Sequence, residues 1–185
     1  MEPLLTAFVA ALLGGWADKS QQVAAALRAR SAAGTVVAAL VLVVAVNSFA
    51  SALAGSLLRR ELTATASALL LAIALAFAGI AGLIGEPAKP PRKSGGGFIP
   101  ALAALFAAGW GDRTQYVVAA LAAYYGSLLP VAAAAFAGTL GVVLPAAVGG
   151  EAFMTAAPVK PLRFLFAALF LVAAAVVTVN ALRLV

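Results

Sequence analysis

The chain contains neither cysteine nor histidine in its 185 residues. These absences exclude a disulfide framework, a thiolate or imidazole metal site, and any nucleophile that histidine would activate. A metal ion would have to be held by oxygen ligands, and such ligands favour hard cations such as Mg²⁺, Ca²⁺ or Mn²⁺. The sequence therefore predicts no resident cofactor.

Charged residues are also scarce. They make up 10% of the sequence, while 65% of the residues are apolar and the mean hydropathy is +1.11. Soluble domains contain about 25% charged residues, so an all-α polytopic membrane protein is predicted. The net charge of +6 does not indicate nucleic-acid binding, because the basic residues lie mostly in loops between apolar runs, where they set membrane orientation.

Six apolar segments are predicted to cross the membrane, since each approaches the ~20 residues that a bilayer requires. They lie at roughly residues 4–27, 34–57, 62–84, 98–124, 128–149 and 162–182. The first has no basic flank and is too long for a signal-peptide core, so it is predicted to be retained. Residues 85–97 have the Pro-, Gly- and Lys/Arg-rich composition of a linker. The linker separates repeat 1, residues 1–84, from repeat 2, residues 98–185.

The loop charges predict an orientation. If the spans alternate in direction, seven basic residues lie on the side of the linker, namely Arg28, Arg30, Lys89, Arg92, Lys93, Lys160 and Arg163. Three lie on the other side, namely Arg59, Arg60 and Arg183. The positive-inside rule then places the linker in the cytoplasm and both termini outside a bacterial-type inner membrane. Because each repeat has an odd number of spans, the second is predicted to be inverted relative to the first.

One motif occurs twice, 94 positions apart. Gly15 to Leu27 and Gly109 to Leu121 are identical at eight of thirteen positions. The motif carries four charged residues deep inside apolar segments: Asp18, Lys19, Asp112 and Arg113. Burying them unpaired would cost on the order of 10–14 kcal/mol together. Intramembrane charges of this kind are retained for function or as paired locks, and a purely structural ion-pair lock is the alternative interpretation.

The first and fourth spans are predicted to be continuous helices, which places each aspartate near the middle of the membrane. Gly15, Asp18 and Gln21 or Gln22 then share one face of the first span. In the fourth span Ala108 or Gly109, Asp112 and Gln115 do the same. The small residues Gly15, Gly109 and Gly111 are predicted to let the helices approach, and Lys19 and Arg113 to act as charge partners. Gln21 and Gln115 could bind an ion or form hydrogen bonds between helices.

The second span carries Asn47, Ser48 and Ser51 near its middle. Polar and hydroxyl residues of this sort hydrogen-bond between helices in lipid. Asn47 has no polar counterpart 94 positions later, where Gly141 stands. It is therefore interpreted as a packing residue.

The paired motifs resemble the Glu-x-Gly-Asp-(Lys/Arg)-(Thr/Ser) motif of the Gdt-type cation antiporters, the relatives of transmembrane protein 165. That family carries the motif once in each of two three-helix repeats, and it is associated with exchange of manganese or calcium for protons. The matching residues are Asp18, Lys19, Ser20, Gly111, Asp112, Arg113 and Thr114, with Gln21 and Gln115 in the position that often follows. This chain differs at Gly15 and Gly109, where the motif has Glu, and at Ala17, where it has Gly.

The resemblance implies a proton-coupled transporter of Mn²⁺ or Ca²⁺ that works by alternating access around Asp18 and Asp112. It implies Asp18 and Asp112 as metal ligands, with Ser20, Thr114, Gln21 and Gln115 in the ion site. Expected partners are the lipid bilayer, a small ion or solute, and protons. No nucleic acid is expected, and a homo-oligomer is compatible with the sequence.

Other functions are weighed beside this one. A different ion or small solute could bind at Lys19 and Arg113, and the protein could be a structural membrane protein without transport. The run Gly109-Trp110-Gly111-Asp112 also spells the Gly-x-Gly-Asp of intramembrane aspartyl proteases. An enzyme is nevertheless not predicted, because that family has Tyr before its partner aspartate, where this chain has Ala17, and because a base directly follows each aspartate.

Overall fold

The computed structural model describes residues 1–85 and 96–182, without the side chains of residues 159 and 160. The described residues form eight α-helices and no strand. The helices are α1 (Glu2–Gly14), α2 (Lys19–Arg28), α3 (Ala33–Leu58), α4 (Ala64–Ile84), α5 (Phe98–Gly109), α6 (Arg113–Tyr125), α7 (Leu128–Ala156) and α8 (Val159–Ala181). Most of the predicted linker, with Lys89, Arg92 and Lys93, lies outside the described residues, as do Arg183 and the side chain of Lys160.

Four of these helices are long and apolar enough to cross a membrane: α3, α4, α7 and the part of α8 from Pro161 onward. The outer surface of these helices exposes large apolar side chains such as Ile73, Leu169 and Val172, which suits a lipid environment. The protein is therefore an all-helical membrane protein. Helices α1 and α5 are apolar but shorter, because each is only the first part of a predicted span.

The prediction of a continuous helix in the first and fourth spans is wrong. Each helix is broken at the repeated motif, between α1 and α2 and between α5 and α6. The backbone turns at Ala17, with φ of 59°, and at Gly111, with φ of 71°, and this left-handed conformation cannot continue a helix. Asp18 and Asp112 follow in extended conformation and start the next helix as N-caps. The single helical face predicted for Gly15, Asp18 and Gln21 therefore does not exist.

Each broken helix packs along the second helix of the other half. Gly138 of α7 lies against Phe8 and Leu12 of α1, and further along α7 Gly150 lies against Arg28 of α2. Helix α3 packs in the same way on the other broken helix. Its Gly55 lies against the backbone of Ala119 in α6, and its Asn47 against Gly109 in α5. The second helix of each half, α3 or α7, thus packs against the broken helix of the other half.

The remaining pair, α4 and α8, completes the two-fold arrangement. Gly79 of α4 packs on Leu171, and Gly82 packs on Ala167, so these helices run in opposite directions. A side chain at either glycine would collide with α8, because the Cβ atom would lie 2.7 Å or 2.9 Å from its nearest neighbour. Close approach through small residues is the usual way in which helices associate in lipid.

The two broken helices also run in opposite directions. The hydroxyls of Thr6, near the start of α1, and Tyr125, at the end of α6, hydrogen-bond at 3.2 Å. At the other end of the bundle, the Gly97 N–H donates to Ser31 Oγ at 3.4 Å, and Gly85 lies against Arg163. The α2–α3 connection, both ends of the linker and the start of α8 thus share one end of the protein, as alternating spans require.

Candidate functional site

The two aspartates of the repeated motif meet where the broken helices are interrupted. Their carboxyl groups are in side-chain contact, and Asp18 is only 7% exposed. Asp18 accepts a hydrogen bond from Ser20 N at 3.2 Å. Asp112 accepts from Arg113 N at 2.7 Å and from Thr114 N at 3.3 Å. Each carboxyl group therefore caps the positive end of one half-helix while it faces the other carboxyl.

The two glutamines hold the turns that precede these caps. Gln21 Oε1 accepts from Ala17 N, and Gln115 Oε1 accepts from Gly111 N, both at 3.0 Å. The Gln21 amide also donates to the Val142 carbonyl at 3.1 Å. Both polar atoms of Gln21 are thus engaged within the fold. Gln21 was predicted either to bind an ion or to form hydrogen bonds between helices. Its contacts favour hydrogen bonding.

Arg113 links the two repeats through the backbone. Its Nε donates to the Gly14 carbonyl at 3.1 Å, and its Nη2 donates to the Trp16 carbonyl at 2.8 Å. The Gly14 carbonyl belongs to the C-terminal end of α1, which carries partial negative charge, and the Trp16 carbonyl belongs to the turn that follows. The guanidinium therefore neutralises a helix end. That role had no sequence signal, because the carbonyls are exposed only by the break.

A small cavity of about 50 Å³ lies beside the aspartate pair. Its polar wall consists of Asp18, Ser20, Asn47, Ser48, Ser51, Asp112, Thr114, Gln115 and Thr139. Five of the six predicted ion-site residues line this cavity: Asp18, Ser20, Asp112, Thr114 and Gln115. The sixth, Gln21, is not among its lining residues. The sequence interpretation missed the contributions of α3 and α7. Asn47, Ser48 and Ser51 could have been suspected from the sequence, because they are polar residues in an apolar span. Nothing in the sequence indicated that Thr139 lines the cavity.

The three glycines singled out in the motif have different surroundings. A Cβ atom at Gly109 would lie 2.8 Å from Asn47 Nδ2, and one at Gly15 would lie 3.2 Å from the Ala11 carbonyl. Both glycines also line the small cavity. Gly111 is exposed, and the nearest atom to its Cβ position is Tyr116 Oη at 4.0 Å. Gly111 thus serves the left-handed turn, and its predicted role in helix approach is not what the structure shows.

A second cavity, of about 310 Å³, reaches the same two aspartates from the linker end of the bundle. It extends to Gly85, at the end of α4, and to Arg163, near the start of α8. Lys19 and Arg113 also line it. The aspartate pair therefore stands between a small polar cavity and a larger one that carries three basic side chains.

Comparison with known families identifies the chain. The family model described as divalent cation/proton antiporter GDT1 matches residues 3–89 and residues 97–184. The chain belongs to the GDT1 family. The two matched segments correspond to the two halves, so this GDT1 family member consists of two repeats. No curated protein and no solved structure matches the chain.

Membership of the GDT1 family bears on the alternatives. The family is one of transporters, which is consistent with the prediction that the protein is not an enzyme. Within residues 1–85 and 96–182, no group of three or more His, Cys, Asp or Glu side chains is placed to hold a metal ion. A cation bound by this GDT1 family member at Asp18 and Asp112 would thus need neutral oxygen ligands beside them.

The turn at Ala17 makes a testable prediction about stability. A left-handed backbone costs a non-glycine residue roughly 1–2 kcal/mol, and Ala17 has φ of 59°. Ala17→Gly should raise the free energy of unfolding by about 1 kcal/mol, measured as an increase in melting temperature in detergent. Ala26→Gly, inside α2 and half-buried like Ala17, is the matched control and should lower stability by about 1 kcal/mol. A loss of stability in Ala17→Gly equal to that of the control would contradict the assigned turn.

Proposed function

We propose that the protein is a secondary transporter that exchanges a divalent cation, Mn²⁺ or Ca²⁺, for protons. Membership of the GDT1 family supports cation/proton exchange. The observation that carries the proposal is the contact between the carboxyl groups of Asp18 and Asp112, which belong to different repeats and cap different half-helices.

Two carboxylates in contact repel each other strongly where water is scarce, since Coulomb energies grow as the local dielectric falls. A proton shared between them, or a cation held by both, removes that repulsion. The proton and the cation would occupy the same place between the two carboxyl groups, so they could not bind at the same time. Competition of this kind couples proton entry to cation exit without any further device.

The cargo is proposed from the ligand chemistry and from the size of the small cavity. Carboxylate, hydroxyl and amide oxygens suit a hard divalent cation. A volume of about 50 Å³ exceeds the ~10–15 Å³ that a cavity needs in order to hold one water molecule. The cavity therefore has room for a small ion together with a few water molecules.

The proposed arrangement is six membrane spans in two inverted repeats, with the first and fourth spans built from the half-helix pairs α1–α2 and α5–α6. Broken helices that meet between inverted repeats are a common design for ion sites in secondary transporters. In the proposed orientation the linker is cytoplasmic and both termini lie outside a bacterial-type inner membrane. The larger cavity would then connect the aspartates with the cytoplasmic side, and rocking of the repeats would expose them to the other side.

Anion transport is the second candidate. It is favoured by Lys19, Arg113 and Arg163, which outnumber the two aspartates in the wall of the larger cavity. Against it, the Arg113 guanidinium already donates to two backbone carbonyls. An anion would therefore have to compete with the helix end that Arg113 caps.

Flux measurements in proteoliposomes test the proposal. The purified protein is reconstituted with a pH dye inside, and Mn²⁺, Ca²⁺, Mg²⁺, Na⁺, chloride or phosphate is added outside. Mn²⁺ or Ca²⁺ should drive proton movement in the opposite direction, and Na⁺ should not. Proton movement that follows chloride or phosphate and ignores every divalent cation would instead support the anion transporter. The absence of any protein-dependent flux would contradict both.

A further inference from the structure

Asn47, on α3, lines the small cavity and carries a buried oxygen atom, Oδ1, that has no hydrogen-bond partner among the described residues. Asn47 is only 9% exposed, so its side chain is not served by bulk water. Buried side-chain oxygens are nearly always paired in folded proteins, because an unpaired one keeps the full cost of its desolvation.

Asn47 belongs to the wall that also contains Asp18 and Asp112. It lies in the unbroken helix α3, beside Gly109 at the end of α5. The cavity thus offers an amide oxygen beside two carboxyl groups, and carboxylate and amide oxygens are typical ligands of a hard cation.

We infer that Asn47 Oδ1 is a ligand of the transported cation and extends the site begun by the two aspartates. This inference rests on the proposed function. It assigns Asn47 a role in specificity, because a neutral oxygen at that place keeps the charge of the site at the two carboxylates. The two carboxylates would balance the two positive charges of a divalent cation without excess negative charge. The absence of excess negative charge favours release of the cation during exchange.

Binding of Mn²⁺ to the purified full-length protein in detergent tests the inference. A ligand that binds only the folded state raises the melting temperature in a concentration-dependent way, so the Mn²⁺ concentration that gives half of the maximal shift can be compared among variants. Asn47→Ala should raise this concentration at least about 10-fold, the order seen when groups around a metal site are lost. Asn180→Ala, which changes the exposed asparagine of α8, should leave it unchanged.

Asn47→Asp provides a second test that does not depend on the folding of Asn47→Ala. It keeps the shape of the side chain and adds a third negative charge, so it should lower the half-saturating Mn²⁺ concentration about 10-fold and slow Mn²⁺ flux. Unaltered binding in Asn47→Asp would overturn the inference. So would normal Mn²⁺ binding in Asn47→Ala beside weakened binding in Asp112→Asn, a result that leaves the proposed function standing. If neither Mn²⁺ nor Ca²⁺ stabilises the unaltered protein, the proposed function fails, and the inference fails with it.

Discussion

Asp18→Asn and Asp112→Asn are each expected to reduce cation-driven proton flux by at least about 100-fold, a loss of about 2.7 kcal/mol of interaction. Each change removes one of the two negative charges that a cation or a proton would share. Asparagine is as good an N-cap as aspartate, so α2 and α6 should still begin at Lys19 and Arg113. The measurement is the initial rate of internal pH change in proteoliposomes, compared with that of protein-free liposomes.

The controls separate loss of transport from loss of folding. Glu151→Gln changes an exposed carboxylate in α7 and should transport as the unaltered protein does. Both aspartate variants should insert, purify and melt within a few degrees of it. The double variant should be no worse than either single one, because residues that act as a unit are not additive. Full activity in both single variants would rule out the aspartate pair as the ion site.

The break at the motif shows what hydropathy can and cannot predict. Apolar residues continue on both sides of Asp18 and Asp112, so a window of about 20 residues detects one span where the chain forms two half-helices. The local signal was nevertheless present. Asp18 is followed three residues later by Gln21, the spacing of an N-cap with its capping residue, and Asp112 is followed likewise by Gln115. Weighing that signal above hydropathy would have predicted both breaks.

The composition of the small cavity was harder to predict. A search for residues repeated after 94 positions finds the symmetric part of the site, but Asn47 has Gly141 as its counterpart. Asn47 lines the same cavity as the aspartates only because α3 packs on the broken helix of the other repeat. Which helices pack together when they are distant in sequence depends on tertiary structure. The spacing of apolar residues along the chain does not predict it. The two repeats and their aspartates were therefore predictable, whereas the asymmetric wall of the cavity was not.

Adding the carboxylates that the resemblance suggests should strengthen divalent-cation binding, but only where the structure has room. Gly15→Glu is expected to lower the half-saturating Mn²⁺ concentration by about 10-fold or more. One close opposite charge changes a binding equilibrium by about 10- to 1,000-fold. A Cβ atom at Gly15 would lie 3.2 Å from the Ala11 carbonyl and 3.6 Å from Val142 Cβ. Small shifts of those neighbours should accommodate it.

Gly109→Glu alone should behave differently, because its Cβ atom would lie 2.8 Å from Asn47 Nδ2. We expect this variant to lose stability by about 1–3 kcal/mol, the usual cost of overpacking, and to gain little affinity. Removing the obstructing amide in Gly109→Glu/Asn47→Ala should recover the stability, while the added carboxylate offsets the lost amide ligand and keeps Mn²⁺ affinity near that of the unaltered protein. Gly15→Gln and Gly109→Gln/Asn47→Ala have the same shape without the charge and should bind Mn²⁺ more weakly than their Glu counterparts. Equal binding in the Gln and Glu variants would show that space and not charge limits binding.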